Sequence, residues 1–280
     1  MTALDDIALN LDFPYRWLHH FDALPLWVFG VIFFGVMILA LELGFRVGKK
    51  RRDTWRNAES GGGGIVQTSI FAVLGLVLAF TYSAGLTRFE ARKAALLNEA
   101  NAIGTAFLRA DLASEPGRTE LMEALYEYAV TRSLPPRSAV TRKGQKVFLL
   151  KTLEKQASIW PATKRVIDQE NPDPLEVSIV SSINSVLDAH TIRFAAVIDG
   201  LHPTIIFLLA LVTLSAMAVA GFNAGIHGRM SRWRMTAFAI VLTALVFVTL
   251  DLDRPNDGTI IVDQRLMNIL IADMNKALHQ

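Results

Sequence analysis

Four long apolar runs interrupt an otherwise mixed pattern of polar and apolar positions, at about Leu24–Val47, Ile65–Thr87, Thr204–Gly225 and Met235–Leu252. A helix rising about 1.5 Å per residue needs roughly 20 apolar residues to cross a hydrocarbon layer of about 30 Å, so each run predicts a membrane-spanning helix. In the first, Glu42 is the one ionisable residue before Arg46, with which it can pair one turn on. The second and third are uncharged, and His202 followed by Pro203 is a helix-start signal for the third. Asp251 interrupts the fourth only at its far end. Trp27, Tyr82 and Trp233 fall near span ends, where amphipathic rings favour the headgroup level.

Between 88 and 203 continuous hydrophobicity gives way to three-and-four spacing. Leu86, Phe89, Lys93, Leu96, Ala100, Ile103 and Phe107 carry the second run onward without a helix breaker, predicting one helix that extends past the span until Ser114–Gly117 ends it. Leu121, Met122, Leu125, Tyr128 and Ala129 mark a further helix, and Leu134, Pro135 and Pro136 a break. A third amphipathic helix is expected from Leu149, Leu150, Leu153 and Ala157 towards Trp160, with Pro161 closing or restarting it. Asn171–Pro174 read as a turn before the stripe of Ile179, Ile183, Val186, Leu187, His190, Phe194 and Val197. After the fourth run, Asn256–Gly258 predict a turn, Thr259–Val262 a short extended piece, and Asp263 the cap of a helix with Met267, Leu270, Ile271, Met274 and Leu278 on one face. The expected architecture is an all-α membrane protein with four transmembrane helices in two pairs. Its parts are an N-terminal segment 1–23, a first pair with a basic loop 24–87, a helical water-exposed domain 88–203, a second pair 204–252, and a C-terminal turn and amphipathic helix 253–280.

Composition agrees, at 52% hydrophobic residues with a mean hydropathy of +0.35. With 28 basic against 26 acidic side chains there is no overall field to draw nucleic acid, so the bilayer is the expected partner. The distribution of charge is more informative. Arg46, Lys49, Lys50, Arg51, Arg52 and Arg56 outnumber Asp53 and Glu59 in the first short loop, and Arg229, Arg232 and Arg234 stand without an acid in the other. Under the positive-inside rule both loops are cytoplasmic, which places the termini and the 88–203 domain on the opposite side. The first 23 residues, with Asp5, Asp6, Asp12 and Asp22 against Arg16, lack the basic start of a signal peptide.

Catalytic and cofactor chemistry finds little purchase. Cysteine is absent, which excludes disulfides, thiolate metal sites and thiol catalysis. His19, His20, His190, His202, His227 and His279 lack metal-ligand spacing. Gly61–Gly64 are not followed by the Lys and Ser or Thr of a phosphate loop, and no Gly-x-Ser-x-Gly elbow occurs. The expectation is no enzyme, no metal and no cofactor.

The most informative pattern lies on the second span. Thr68, Ala72, Gly75, Ala79, Ser83 and Thr87 recur on one side, and Glu90 continues the line. Small residues let transmembrane helices approach closely, and around a central axis of identical copies they also leave room for water and ions; packing and pore lining both fit. Asp251, Asp253 and Arg254 at the exit of the fourth span read as a membrane-edge charge cluster or as a selectivity site at a mouth. Glu99, Asn101, Arg109 and Asp111 on the helix continuing from span two, and Asn184, Asp188 and Arg193 on the helix before span three, read as solvated or paired across a helical bundle.

Three stretches carry a resemblance: GLVLAFTYSAGLTRFEARKAALLNEANAIGTAFLRADL from Gly75 to Leu112, INSVLDAHTIRF from Ile183 to Phe194, and LDLDRP from Leu250 to Pro255. Together they resemble the bestrophin-like family of bacterial membrane proteins, with Glu90, Ala91, Arg92, Glu99, Ala100, Asn101, Ala102, Gly104, Thr105 and Arg109 matching its signature. The layout is also distantly similar to that of bestrophins, oligomeric anion channels whose second span lines the pore. This implies a homo-oligomeric, channel-like protein of the bacterial inner membrane that passes small ions, anions among them. No pore residue is transferred by the resemblance. Bestrophins keep the section between the span pairs in the cytosol, opposite to the placement the basic loops give here. The other reading is a membrane-anchored structural or signalling module that binds a protein partner through 88–203.

Overall fold

The computed structural model describes residues 25–52, 63–133, 142–167, 173–254 and 258–280. Eight helices order these residues: α1 Leu26–Lys50, α2 Gly63–Ala110, α3 Gly117–Arg132, α4 Arg142–Val166, α5 Pro174–Ile198, α6 Pro203–His227, α7 Arg232–Asp253 and α8 Arg265–Leu278. No strand occurs among the described residues. The four apolar runs lie in α1, in the first half of α2, in α6 and in α7, each long and apolar enough to cross a bilayer. The chain divides into two compact units: 1–87 with 200–254 and 258–260, and 88–199 with 255–257 and 261–280.

In the first unit α1 pairs most extensively with α6. Gly44 and Gly48 face Gly221 and Gly225 across this crossing, and the backbones touch. A Cβ on Gly44 would collide with the Ala218 carbonyl, one on Gly48 with that of Phe222, one on Gly221 with that of Leu41 and one on Gly225 with that of Phe45. Each Gly in a helix interior costs about 1 kcal/mol relative to Ala, and the return is close packing where no hydrophobic force acts between helices in lipid. Beyond the glycines, Phe33, Met37 and Leu41 of α1, Leu209 and Met217 of α6, and Leu242 and Val246 of α7 make the core, with Leu74 the member from α2. His202 caps α6 by accepting the Thr204 N–H, with Pro203 at its first position, and Gly228 in the left-handed region (φ 71°) closes it.

The second unit is a water-type bundle of α2 from Arg88 onward, α3, α4, α5 and α8 around Ile103, Phe107, Leu121, Leu125, Ile159, Ile179, Ile183, Met267 and Met274. A capping box starts α5: Asp173 accepts the Glu176 N–H at 2.8 Å, and Glu176 accepts the Asp173 N–H at 3.3 Å. Of the predicted stripe on α8, Met267 and Met274 are fully covered, and Leu270, Ile271 and Leu278 pack against the core partly buried.

Several local expectations need correction. Helix α4 passes through Pro161 without a break. Pro161 stands on the exposed side, where the Ala157 carbonyl it leaves unbonded can meet water, while Ile159, Ala162 and Thr163 hold the next turn from the buried side. The core face of α4 is therefore Thr152, Ile159, Ala162 and Thr163, and Ala157 and Trp160 point outward. Thr259–Val262 form no strand, because the Asp251 carboxylate takes the N–H groups of Thr259 (2.8 Å) and Ile260 (2.9 Å) that a ladder would need. Asp263 accepts the Arg265 N–H at 2.9 Å, but the cap position of α8 is Gln264, one residue on. Helix α2 ends at Ala110, ahead of Ser114–Gly117. The breaks at Leu134–Pro136 and at Asn171 and Pro172, segment 1–23, and the loop acids Asp53 and Glu59 lie outside the described residues.

Candidate functional site

Span two is the least covered of the four within its own chain. Thr68, Ala72, Gly75, Ala79, Ser83 and Thr87 are all exposed, and Glu90 is exposed one turn further along the same helix. A Cβ added at Gly75 would meet nothing within 4 Å. The hydroxyls have local partners: Thr68 donates to the Gly64 carbonyl and Thr87 to the Ser83 carbonyl, both at 2.9 Å. Such back-bonding satisfies a hydroxyl in an apolar medium and leaves its lone pairs available on the open face. The opposite side of the span is anchored by Leu74, Thr81 and Gly85, the last lying close to the Thr249 carbonyl of α7. The exposed surface of α2 thus presents a row of small and hydroxylated side chains that no other helix of the unit covers, beside bulky groups such as Phe80.

The acids at the end of α7 act on backbone. Both carboxylate oxygens of Asp253 accept the Leu201 N–H, at 2.9 and 3.0 Å, which ties the approach to α6 to the exit of α7. Asp251 is buried, accepts the two N–H groups described above, and takes the Thr259 hydroxyl at 2.5 Å. Arg254 is half-buried beyond them. At the other end of the spans, Glu42 accepts from Arg46 at 3.2 Å and lies 3.8 Å from Arg232.

In the second unit the signature residues part company. Asn101 and Asn184 are exposed. Arg109 donates to the Ser178 carbonyl at 3.0 Å, joining α2 to α5, and Asp111 pairs with Arg118 beyond the end of α2. Glu99 and Arg193 come together in the core with Tyr128, Arg132 and His190, of which Tyr128 and His190 lie on the predicted apolar stripes. Glu99 has no exposed surface. Its Oε1 accepts from the Tyr128 hydroxyl at 2.6 Å and from Arg132 Nε at 2.7 Å; its Oε2 accepts from Arg193 Nη1 at 2.6 Å. Tyr128 also lies 3.1 Å from His190 Nδ1. The hydroxyl has one proton, which goes to the acceptor-only carboxylate, so Nδ1–H of a neutral His190 donates to the Tyr128 oxygen.

Charge follows this geometry. Burial opposes ionisation of Glu99 most strongly, yet the Arg132 and Arg193 guanidiniums with the Tyr128 hydrogen bond outweigh it and hold the carboxyl below its ordinary value. Burial, and then the field of Arg132, push His190 down to about 4. Burial and the neighbouring Glu99 charge raise Tyr128. Every oxygen of Glu99 is occupied and the cluster is closed, so its chemical role is to pin α2, α3 and α5 at one point. The signal was present in the sequence: Tyr128 and Arg132, and His190 and Arg193, are pairs three or four apart that sit in core register.

The fold has known counterparts. A variant of a bacterial bestrophin homologue from Klebsiella pneumoniae aligns over 87% of this chain and 98% of its own with a TM-score of 0.63 at 10% identity. The homologue solved by zinc phasing aligns over 88% and 98%, with a TM-score of 0.62 at 10% identity. A variant of a membrane protein aligns over 89% and 99%, with a TM-score of 0.64 at 10% identity. At this identity the likeness is one of fold. No curated protein sequence matches the chain. The Bestrophin-like domain matches residues 31–266, and the chain belongs to that family.

Proposed function

We propose that the protein is a homo-oligomeric, channel-like membrane protein in which copies of α2 surround a central path for small ions. The observation that carries this reading is the uncovered row Thr68, Ala72, Gly75, Ala79, Ser83 and Thr87, which no helix of its own unit occupies. Lipid gains nothing from hydroxyls, whereas a water-filled axis does, and flanking apolar side chains supply constriction. Membership of the Bestrophin-like family and the fold shared with bestrophin homologues support the same reading. Small anions are the cargo we assign. The charged member of the row, Glu90, opposes them, so Glu90→Gln is expected to shift the reversal potential towards the anion equilibrium value.

The test is ion flux through protein reconstituted in liposomes, alongside the mass of the detergent-solubilised complex. Wild-type protein passes anions as an oligomer, and Ser83→Leu or Thr87→Leu, which narrow the path, lowers flux without changing the assembly. A monomer, or full-length protein silent at high protein load, overturns the reading.

A further inference from the structure

The first unit holds a cavity of about 720 Å3 bounded by α2, α6 and α7 near the α6–α7 turn. Its walls are apolar, with Phe71, Leu74 and Leu78 from α2 facing Met235, Phe238 and Leu242 from α7. Phe71 and Phe238 meet edge to face at 5.5 Å. Polar groups gather at one end only. There Gln67 Oε1 accepts from Asn223 Nδ2 at 2.7 Å, and Arg229, Ser231 and Arg234 are the other polar members of the lining, while Gly75 of the α2 row borders its apolar part. From Gln67 to Leu78 the trough runs along α2 for roughly 16 Å, about half the hydrocarbon thickness.

The three arginines of this hairpin divide. Arg232 reaches Glu42. Arg229 and Arg234 line the cavity, and among the described residues neither has a carboxylate partner. Two cations at the mouth of an apolar trough lying along a membrane helix match one chemistry, a negatively charged headgroup with an acyl chain behind it. We propose that this cavity binds an anionic phospholipid, its phosphate between Arg229 and Arg234 and one chain against Phe71, Leu78 and Leu242. The volume is that of an ordinary ligand site, about 300–1,000 Å3. Free phosphate would leave the trough empty, and a zwitterionic lipid would add a cation beside two arginines. Lipid occupancy is independent of whether ions pass.

Native mass spectrometry of the full-length protein in neutral detergent, titrated with phosphatidylglycerol or phosphatidylcholine of matched chains, tests the assignment. One phosphatidylglycerol per protomer is expected, bound in preference to phosphatidylcholine. The Arg229→Gln/Arg234→Gln double variant should bind it roughly 30-fold more weakly, the effect of two basic side chains at a headgroup, and Arg232→Gln should keep the preference. Equal retention of both lipids, or a double variant with undiminished preference, overturns the proposal. Should the double variant fail to fold, wild-type protein still decides. Long-chain phosphatidylglycerol should survive millimolar inorganic phosphate, and displacement by phosphate overturns the lipid assignment.

Discussion

At Glu99 a single carboxylate with no exposed surface answers two guanidiniums and a phenol. Removing its charge leaves Arg132 and Arg193 buried without an anion, and breaking a buried pair from one side typically costs about 3–5 kcal/mol. Glu99→Gln is therefore expected to lower the unfolding midpoint of the solubilised full chain sharply. Tyr128→Phe, which removes the hydrogen bond to Glu99 and the one from His190, should cost about 2 kcal/mol. Acid acts on the same cluster. Glu99 has a lowered folded value, so its contribution is present at neutral pH and lost as pH falls through that value. His190 is neutral in the fold down to about 4, whereas the unfolded chain takes its proton near 6.5. Between those values the unfolded state binds more protons, so stability declines as pH drops across the window. His190→Gln keeps a donor for Tyr128 and removes the imidazole. Its midpoint should hold steady from pH 6.5 to 5 while that of the wild type falls; equal slopes would show that His190 is not held neutral.

Among the elements, α1 and α6 are fixed to each other by backbone contact, and their glycines permit nothing larger. Gly221→Ala adds one methyl against the Leu41 carbonyl and Phe45 N–H. Overpacking of this kind costs about 1–3 kcal/mol, more than the roughly 1 kcal/mol gained in helix propensity. Gly35→Ala, where nothing lies within 4 Å, gains propensity alone. Opposite shifts of the unfolding midpoint are expected, and a Gly221→Ala protein as stable as Gly35→Ala would show that the crossing is loose. The motif behind it, GFRVG in α1 and GFNAG in α6, is a local signal that hydropathy passes over. Elements defined by their own residues were legible: the four spans through their apolar runs, and the continuity of α2 through unbroken periodicity past Thr87. What depended on distant partners was not. Pro161 reads as a break until the buried side of its turn is known, and Thr259–Val262 as extended until Asp251 is placed beside it. The Glu99 cluster joins residues 33 and 94 positions apart. Only the misplacement of charge in apolar stripes hinted at it.

For the whole molecule, the membrane decides which surfaces can remain bare. Val31, Ile65, Phe80, Phe207 and Ile240 are more than half exposed in the spans, and each would be costly in water, at roughly 25 cal/mol per Å2 of apolar surface. Lipid removes that cost on these apolar faces. Sidedness then follows from charge. The α1–α2 and α6–α7 loops hold the basic clusters, and Lys49 and Lys50 close α1 itself. Translocating such loops is opposed both by the membrane potential and by the loss of anionic headgroups, which supports the proposal that they face the cytoplasm and the 88–199 unit the opposite side. Because the chain has no cysteine, single substitutions report cleanly. Asn184→Cys, exposed on α5, should react with a membrane-impermeant maleimide in intact spheroplasts, and Arg51→Cys, exposed at the end of α1, only after permeabilisation. The reverse pattern would place the second unit in the cytosol, the arrangement of the bestrophins. The positive charge would then mark the outer face, and the anionic-lipid cavity would open to the other leaflet.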